Sequence, residues 1–271
     1  MNRLVLNKLI LLLSMVSAVI GISFLLWILI TLAYKGINSI HLTTFTNDLV
    51  NGGIRNLLVG QFTMALVATL VAVPLGMMAG IYLREYSTNR KLAMVLRNLN
   101  DVMMSAPSIV IGVFVYAFMV APFYTYNGWA GSAALAIMMI PIIVNTTDNM
   151  LSLVPQELRE AGIALGGSKH KIILQIVLRS AKIGITTGIL LSFARIIGET
   201  APLLFTSSNN QFFTMDMNGQ FPSLTVSIYN LATYPDETSR ELAWAASFIL
   251  TVIVLAINLL GRYATRTRKR K

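Results

Sequence analysis

Arg195 and Glu199 lie four positions apart in a stretch, Ile183–Leu204, that is otherwise mostly apolar or small. A charge near the centre of a bilayer costs about 2.5–3.5 kcal/mol on insertion scales, so both side chains need a reason to be there. The guanidinium stays charged and presents a planar fork of donors, which suits an oxyanion crossing a pore. A buried Arg–Glu pair that only fixes helix packing would use the same two residues. At 100° per residue, Gly184, Gly188, Ser192, Arg195, Gly198, Glu199 and Pro202 share one face. Ile189, Leu190, Phe193, Ile196, Ile197, Leu203 and Leu204 share the other. The small and polar stripe is expected to face protein or water. Arg195 lies ~18 Å along such a helix from Ile183, near the middle of the membrane or slightly outward of it. Arg before Glu is the poorer order for a same-helix pair, so each is open to a partner on a neighbouring helix.

A second group of candidates sits on a charged island, residues 147–182, between two apolar stretches. Pro155 suits the start of a helix, where its missing N–H costs nothing. Glu157 then falls in the first turn, favourably placed for the helix dipole. Leu158, Ala161 and Leu165 recur at helical spacing and make one apolar face. Gly166-Gly167 should end this helix, and Ser168 can cap a second one leading into the next span. The expected product is a short helix–turn–helix joined to two membrane helices. An amphipathic loop resting on the membrane surface would show the same pattern.

The elements that hold these residues follow from composition. Of 271 residues 55% are hydrophobic and 12% charged, against about 25% charged in soluble domains. Runs of roughly 20 apolar residues cross the hydrocarbon core, and about six occur: Leu9–Tyr34, Leu57–Leu83, Val102–Phe123, Trp129–Val144, Ile183–Leu204 and Leu242–Leu260. Each is expected to be helical, because lipid offers no partner to free backbone groups. The fold class is therefore an all-α integral membrane protein. The first run is too long for a signal peptide and reads as a retained anchor. With both termini cytoplasmic, 17 of the 21 Lys and Arg lie on inner segments, which sets the orientation in the cell membrane. The basic tail at Arg266–Lys271 is then a topology signal and a contact for anionic lipid, and the +10 net charge needs no nucleic acid to explain it.

Chemistry is bounded by what is missing. The chain has no Cys, which excludes disulfides and thiolate chemistry. His41 and His170 fall on opposite faces of the membrane by this topology and cannot share a metal. No Ser nucleophile has a plausible base, no paired carboxylates share an accessible face, and no G-x-x-x-x-G-K-[ST] occurs. No catalytic residue, metal site or cofactor is expected, so any ATP would be hydrolysed elsewhere. The segment Ser223–Tyr229 is apolar but too short to span. It fits a re-entrant piece covered by protein or an ordinary folded loop equally well.

The island carries a further pattern: Glu160-Ala161-Gly162, three residues, Gly166, nine residues, Ile176, one residue, Leu178. It resembles the EAA loop of binding-protein-dependent ABC importers, with Gly162 in place of the usual second Ala and Arg179 in place of the usual Pro. Ala194-Arg195, Gly198–Leu204, Ala106–Gly112 and Ser223–Tyr229 are similar to segments of phosphate importer permeases, of PstA more than PstC type, though Thr225 stands where Pro is common. The resemblance runs from about Leu57 to Gly261. It implies a MetI-like type I ABC importer permease fold. The division would be an anchor region (1–56), a permease domain (57–261) and a basic tail (262–271). It also implies coupling to an ATPase through Glu160, Ala161, Gly162, Gly166, Ile176 and Leu178, with Arg195 and Glu199 on the substrate pathway. The partners it implies are a PstC-like second permease, a PstB-like ATPase dimer, an external PstS-like phosphate-binding protein and phosphate itself. Two other readings fit the residues: a stand-alone secondary transporter or anion channel, and the same importer class with phosphonate, sulfate or molybdate as cargo.

Overall fold

A computed structural model describes residues 3–266, and within them every regular element is helical. In chain order these are α1 (Arg3–Asn38), α2 (Leu42–Thr46), α3 (Arg55–Ile81), α4 (Arg90–Ser105), α5 (Ser108–Met119) and α6 (Gly128–Ser152). They continue with α7 (Gln156–Ala164), α8 (Lys169–Ile172), α9 (Leu178–Ile197), α10 (Ala201–Thr206), α11 (Leu224–Thr233) and α12 (Glu237–Arg266). Wider π-type turns at Tyr82–Tyr86 and Ile173–Val177 extend α3 and α9, so the continuous rods run Arg55–Tyr86 and Lys169–Ile197. Among the described residues five helices are long and apolar enough to cross a membrane, or six if α4 and α5 together make one crossing. Residues 262–266 continue α12 rather than starting a separate tail, and the basic residues 268–271 lie outside the described residues.

The third expected span is not one helix. α4 and the stretch from Ser108 to Phe123 meet at 99°, because Ala106 is extended (ψ 134) and Pro107 supplies no amide to carry the helix on. Pro74 and Pro141, by contrast, sit inside α3 and α6. What holds the bend is polar: the Arg97 guanidinium donates to Asp148 of α6 at 2.6 and 3.2 Å and to the Leu83 carbonyl at 3.2 Å. Asn100 donates to the Pro141 carbonyl at 3.2 Å. α4 is thus fastened sideways to the bundle instead of stacking end-on with α5.

The core forms where α3, α6 and α9 pack, around Met64, Leu135, Met139, Ile196 and Phe221. Small residues set the spacing. A Cβ at Gly76 would press on Ile143, and one at Gly80 on Thr147, so α3 and α6 approach nearly backbone to backbone. α1 lies against α12, with Gly36 fitted to Phe248 and the Lys35 ammonium 4.9 Å from the Trp244 ring centre. His41 immediately precedes α2 and His170 lies in α8.

Asparagine and aspartate start several helices. Asn89 accepts from the Lys91 and Leu92 amides, Asn127 from Ala130 at 2.7 Å and Asp236 from Ser239 at 2.8 Å. The bonds from Ser239 hold the Asp236 carboxyl below its ordinary range. A depressed folded-state pKa gives stabilisation that is present above the unfolded pKa and lost as pH falls through the folded one. Asp236→Ala, or acidification through that window, is therefore expected to speed hydrogen exchange at Ser239–Leu242 while leaving the rest of α12 protected.

Candidate functional site

α9 stops at Ile197, and Gly198 (φ −90, ψ 1) and Thr200 (φ −112, ψ −50) carry the chain into α10. Glu199 therefore lies in a break between two helices, and the expected single face from Gly184 to Pro202 is divided. Gly184 and Gly188 pack on Met150 and Thr146 of α6, Ser192 is buried, and Pro202 is seated against Gly112 of α5. Arg195 points elsewhere: its side chain is 54% exposed in this chain. A helical projection stops being valid at the break, which is why the stripe does not hold together.

Arg195 and Glu199 do find each other, with Nε 3.7 Å from Oε1. Their separation across a helix end, rather than along a helix, removes the penalty expected for Arg before Glu. Each also sits where backbone dipoles favour it. Arg195 is in the last turn of α9, and Glu199 lies just before the start of α10. The result is a cation partly neutralised on one side and open on the other.

The break is held by Gln61, which carried no signal in the sequence, together with the Ser223–Tyr229 segment. Gln61 of α3, 1% exposed, donates to the Ile197 carbonyl at 2.9 Å. Its own carbonyl oxygen accepts from the Ser223 hydroxyl at 3.0 Å and the Leu224 amide at 3.1 Å. Thr225 donates to the Glu199 carbonyl at 2.8 Å. α11 is thus the short covered piece, buried from Leu224 to Ser227 and packed on α12 and α3. Gln61 is the seventh residue of α3, about 9 Å from its start. Ile197 is level with it, so the Arg195 pair lies outward of mid-bundle.

The second candidate group is at the opposite end. α7 forms as expected after Pro155 and closes at Gly166, whose φ of +77 favours glycine. Ser168 precedes α8 but its side chain makes no capping bond. The motif residues separate into two roles. Gly162 is buried, and a Cβ there would meet Ile172 at 3.0 Å and Ile176 at 3.1 Å, which accounts for Gly where the resemblance expects Ala. Ile176 and Leu178 belong to the packing around Val177 and Leu151. Glu160 and Ala161 instead face outward, and so do Leu158, Ile163 and Leu165, the last 89% exposed. An apolar face at Leu158, Ala161 and Leu165 is present, then, but it turns away from its own chain. Beside it opens a cavity of about 880 Å³ lined by Arg84, Glu157, Ile163 and Lys169 among others.

Residues 72–270 match the family model described as "Binding-protein-dependent transport system inner membrane component". The phosphate transport system permease protein PstA of Pasteurella multocida is 48% identical over 260 residues, 94% of this chain and 93% of that protein. The PstA of Haemophilus influenzae is 46% identical, covering 97% and 95%. Among solved structures, the MetNI methionine ABC transporter in inward-facing conformations matches with a TM-score of 0.61 at 20% identity, over 81% of this chain and 95% of the other. At that identity the likeness speaks for a shared MetI-like type I importer permease fold.

Proposed function

The chain belongs to the binding-protein-dependent transport system inner membrane components, and within them to the PstA phosphate transport permeases; on that premise we propose that it forms half of the path of an ATP-driven importer of inorganic phosphate. It is a multi-pass inner-membrane protein, with both termini and α7 on the cytoplasmic side, as the charge distribution supports. A second, PstC-like permease faces Arg195 and completes the path. A PstB-like ATPase dimer binds α7, and a PstS-like protein delivers phosphate at the α11 end. The chain itself catalyses nothing. Residues 57–261 act as the permease domain, with the α1 region as an anchor beside it.

One observation carries this reading: the guanidinium that could hold an oxyanion is left open by its own chain, at the end of a broken helix whose geometry is fixed by buried hydrogen bonds. Phosphate offers several oxygens to a planar fork, and the Glu199 carboxylate can accept a hydrogen bond from a phosphate O–H. Uptake of radiolabelled phosphate by the reconstituted complex, challenged with sulfate, molybdate and phosphonate, tests the cargo. Equal competition by sulfate would refute phosphate selectivity.

The outward apolar face of α7 is what supports docking of the ATPase. Leu165→Asp adds a charge where nothing of this chain is displaced, so the fold should be unaffected. The ATPase subunit is expected to be lost on co-purification, together with ATP-driven uptake. Full retention of that subunit would remove Leu165 from the docking surface.

A further inference from the structure

Arg159, like Gly162, lies on the side of α7 turned towards its own chain. Its Nη2 and Nε donate to both carboxylate oxygens of Glu85, at 2.7 and 3.3 Å. Nη1 donates to the Val154 carbonyl at 2.7 Å and the Pro155 carbonyl at 3.4 Å, and Nη2 also to the Leu151 carbonyl at 3.0 Å. The side chains are only 15% and 8% exposed. Three elements meet on one guanidinium: the π-type turn that ends the α3 rod, the last turn of α6, and α7.

An exposed ion pair would carry little. This one is enclosed and bidentate, and all its bonds would have to break for α7 to move independently of α3. α3 in turn packs on α6 across Gly76 and Gly80, so the two helices act as one rigid body. At its other end, 24 residues and about 36 Å from Glu85, α3 holds the Ile197 carbonyl and the start of α11 through Gln61. α7 has a second link to α9, through the chain at Gly166-Gly167 and through the apolar packing of Gly162 on Ile172 and Ile176, but it reaches α9 only across the π-type turn at Ile173–Val177. That link carries no hydrogen bond between side chains of the kind the Arg159 guanidinium makes to Glu85.

We propose that Arg159 and Glu85 are the coupler of the transporter, positioning residues through which displacement of α7 moves the α3–α6 body and, through Gln61, the broken helix carrying Arg195 and Glu199. The inference rests on the importer reading given above. A lysine at position 159 keeps the charge but supplies three donors from one point, and cannot bridge the carboxylate and the carbonyls together.

The test uses the assembled complex carrying Arg159→Lys or, as the milder change, Glu85→Gln. Two quantities are measured: phosphate moved per ATP hydrolysed, and the ATP-dependent change in hydrogen exchange over residues 196–204. Both variants are expected to keep the ATPase subunit and continue hydrolysis. Phosphate moved per ATP should fall about tenfold, the size of a typical coupling free energy, and the exchange change should vanish. Parental values of both quantities in both variants would overturn the coupler. So would loss of the bound ATPase subunit in step with uptake, since the pair would then only fasten α7 for docking. A parent complex that moves no phosphate would overturn the importer reading instead, and the exchange measurement would still decide the coupler.

Discussion

Replacing Arg195 by Met is expected to cut phosphate uptake by about 10- to 150-fold in a complex that still contains all its subunits, the equivalent of losing one charge-assisted hydrogen-bonded contact of about 1.5–3 kcal/mol. Met has comparable length and an apolar character suited to a span, and the Arg195 side chain is half exposed with Glu199 as its ion-pair partner. The substitution therefore leaves the packing of α9 on α6 intact. It also leaves Glu199 unpaired, so the site would carry a net negative charge towards an anion. Glu199→Gln in the Arg195→Met background separates the two effects: recovery of part of the uptake assigns that part to repulsion by the carboxylate. Normal uptake by the assembled Arg195→Met complex would remove Arg195 from the pathway and return the pair to a packing role.

Some of this geometry was legible in the residues and some was not. α7 was legible because a proline start, helical apolar spacing and a glycine stop are all local signals, and local signals survive into the fold. Which way its faces turn was not. The spacing of Leu158, Ala161 and Leu165 gave an apolar face without its direction, which is set by Arg159 reaching Glu85, 74 positions away, and by Gly162 packing on Ile172 and Ile176. The bend at Pro107 was similarly hidden: prolines fall within apolar helical patterns at positions 74, 107 and 141, and only the one preceded by sideways attachment through Arg97 and Asn100 breaks its span. Of the site itself, Arg195 and Glu199 announced themselves by being charges in an apolar run. The break between them did not, since Gly198 is compatible with a continuing helix. Gln61 was hidden for the same reason in reverse: one amide in a long apolar helix is ordinary until its partners, 136 and more positions away, are known.

Those partners make Gln61→Leu the most disruptive single change expected outside the charged pair. The leucine fits the volume of the site without its hydrogen bonds. It strips the Ile197 carbonyl of its donor and the Ser223 hydroxyl and Leu224 amide of their acceptor, all in a dry interior. A buried polar group left unpaired costs about 1–3 kcal/mol, and in a membrane no water is at hand to replace the lost partner. Ser223 retains Thr225 Oγ1 at 3.4 Å, so the three losses do not simply add, and a total on the order of 3 kcal/mol is expected from that range. The damage should be local before it is global. α11 and the 198–200 break should lose protection against hydrogen exchange, while the contact of α3 with α6, which depends on Gly76 and Gly80, should keep it. Uptake should fall with the break, because Arg195 is aimed by the helix end that Gln61 fixes. Glutamate would be no remedy, since it supplies acceptors for Ser223 and Leu224 but no donor for Ile197. If Gln61→Leu leaves both exchange over 196–204 and uptake at parental levels, the broken helix is held by something other than this amide, and the aiming of Arg195 has another source.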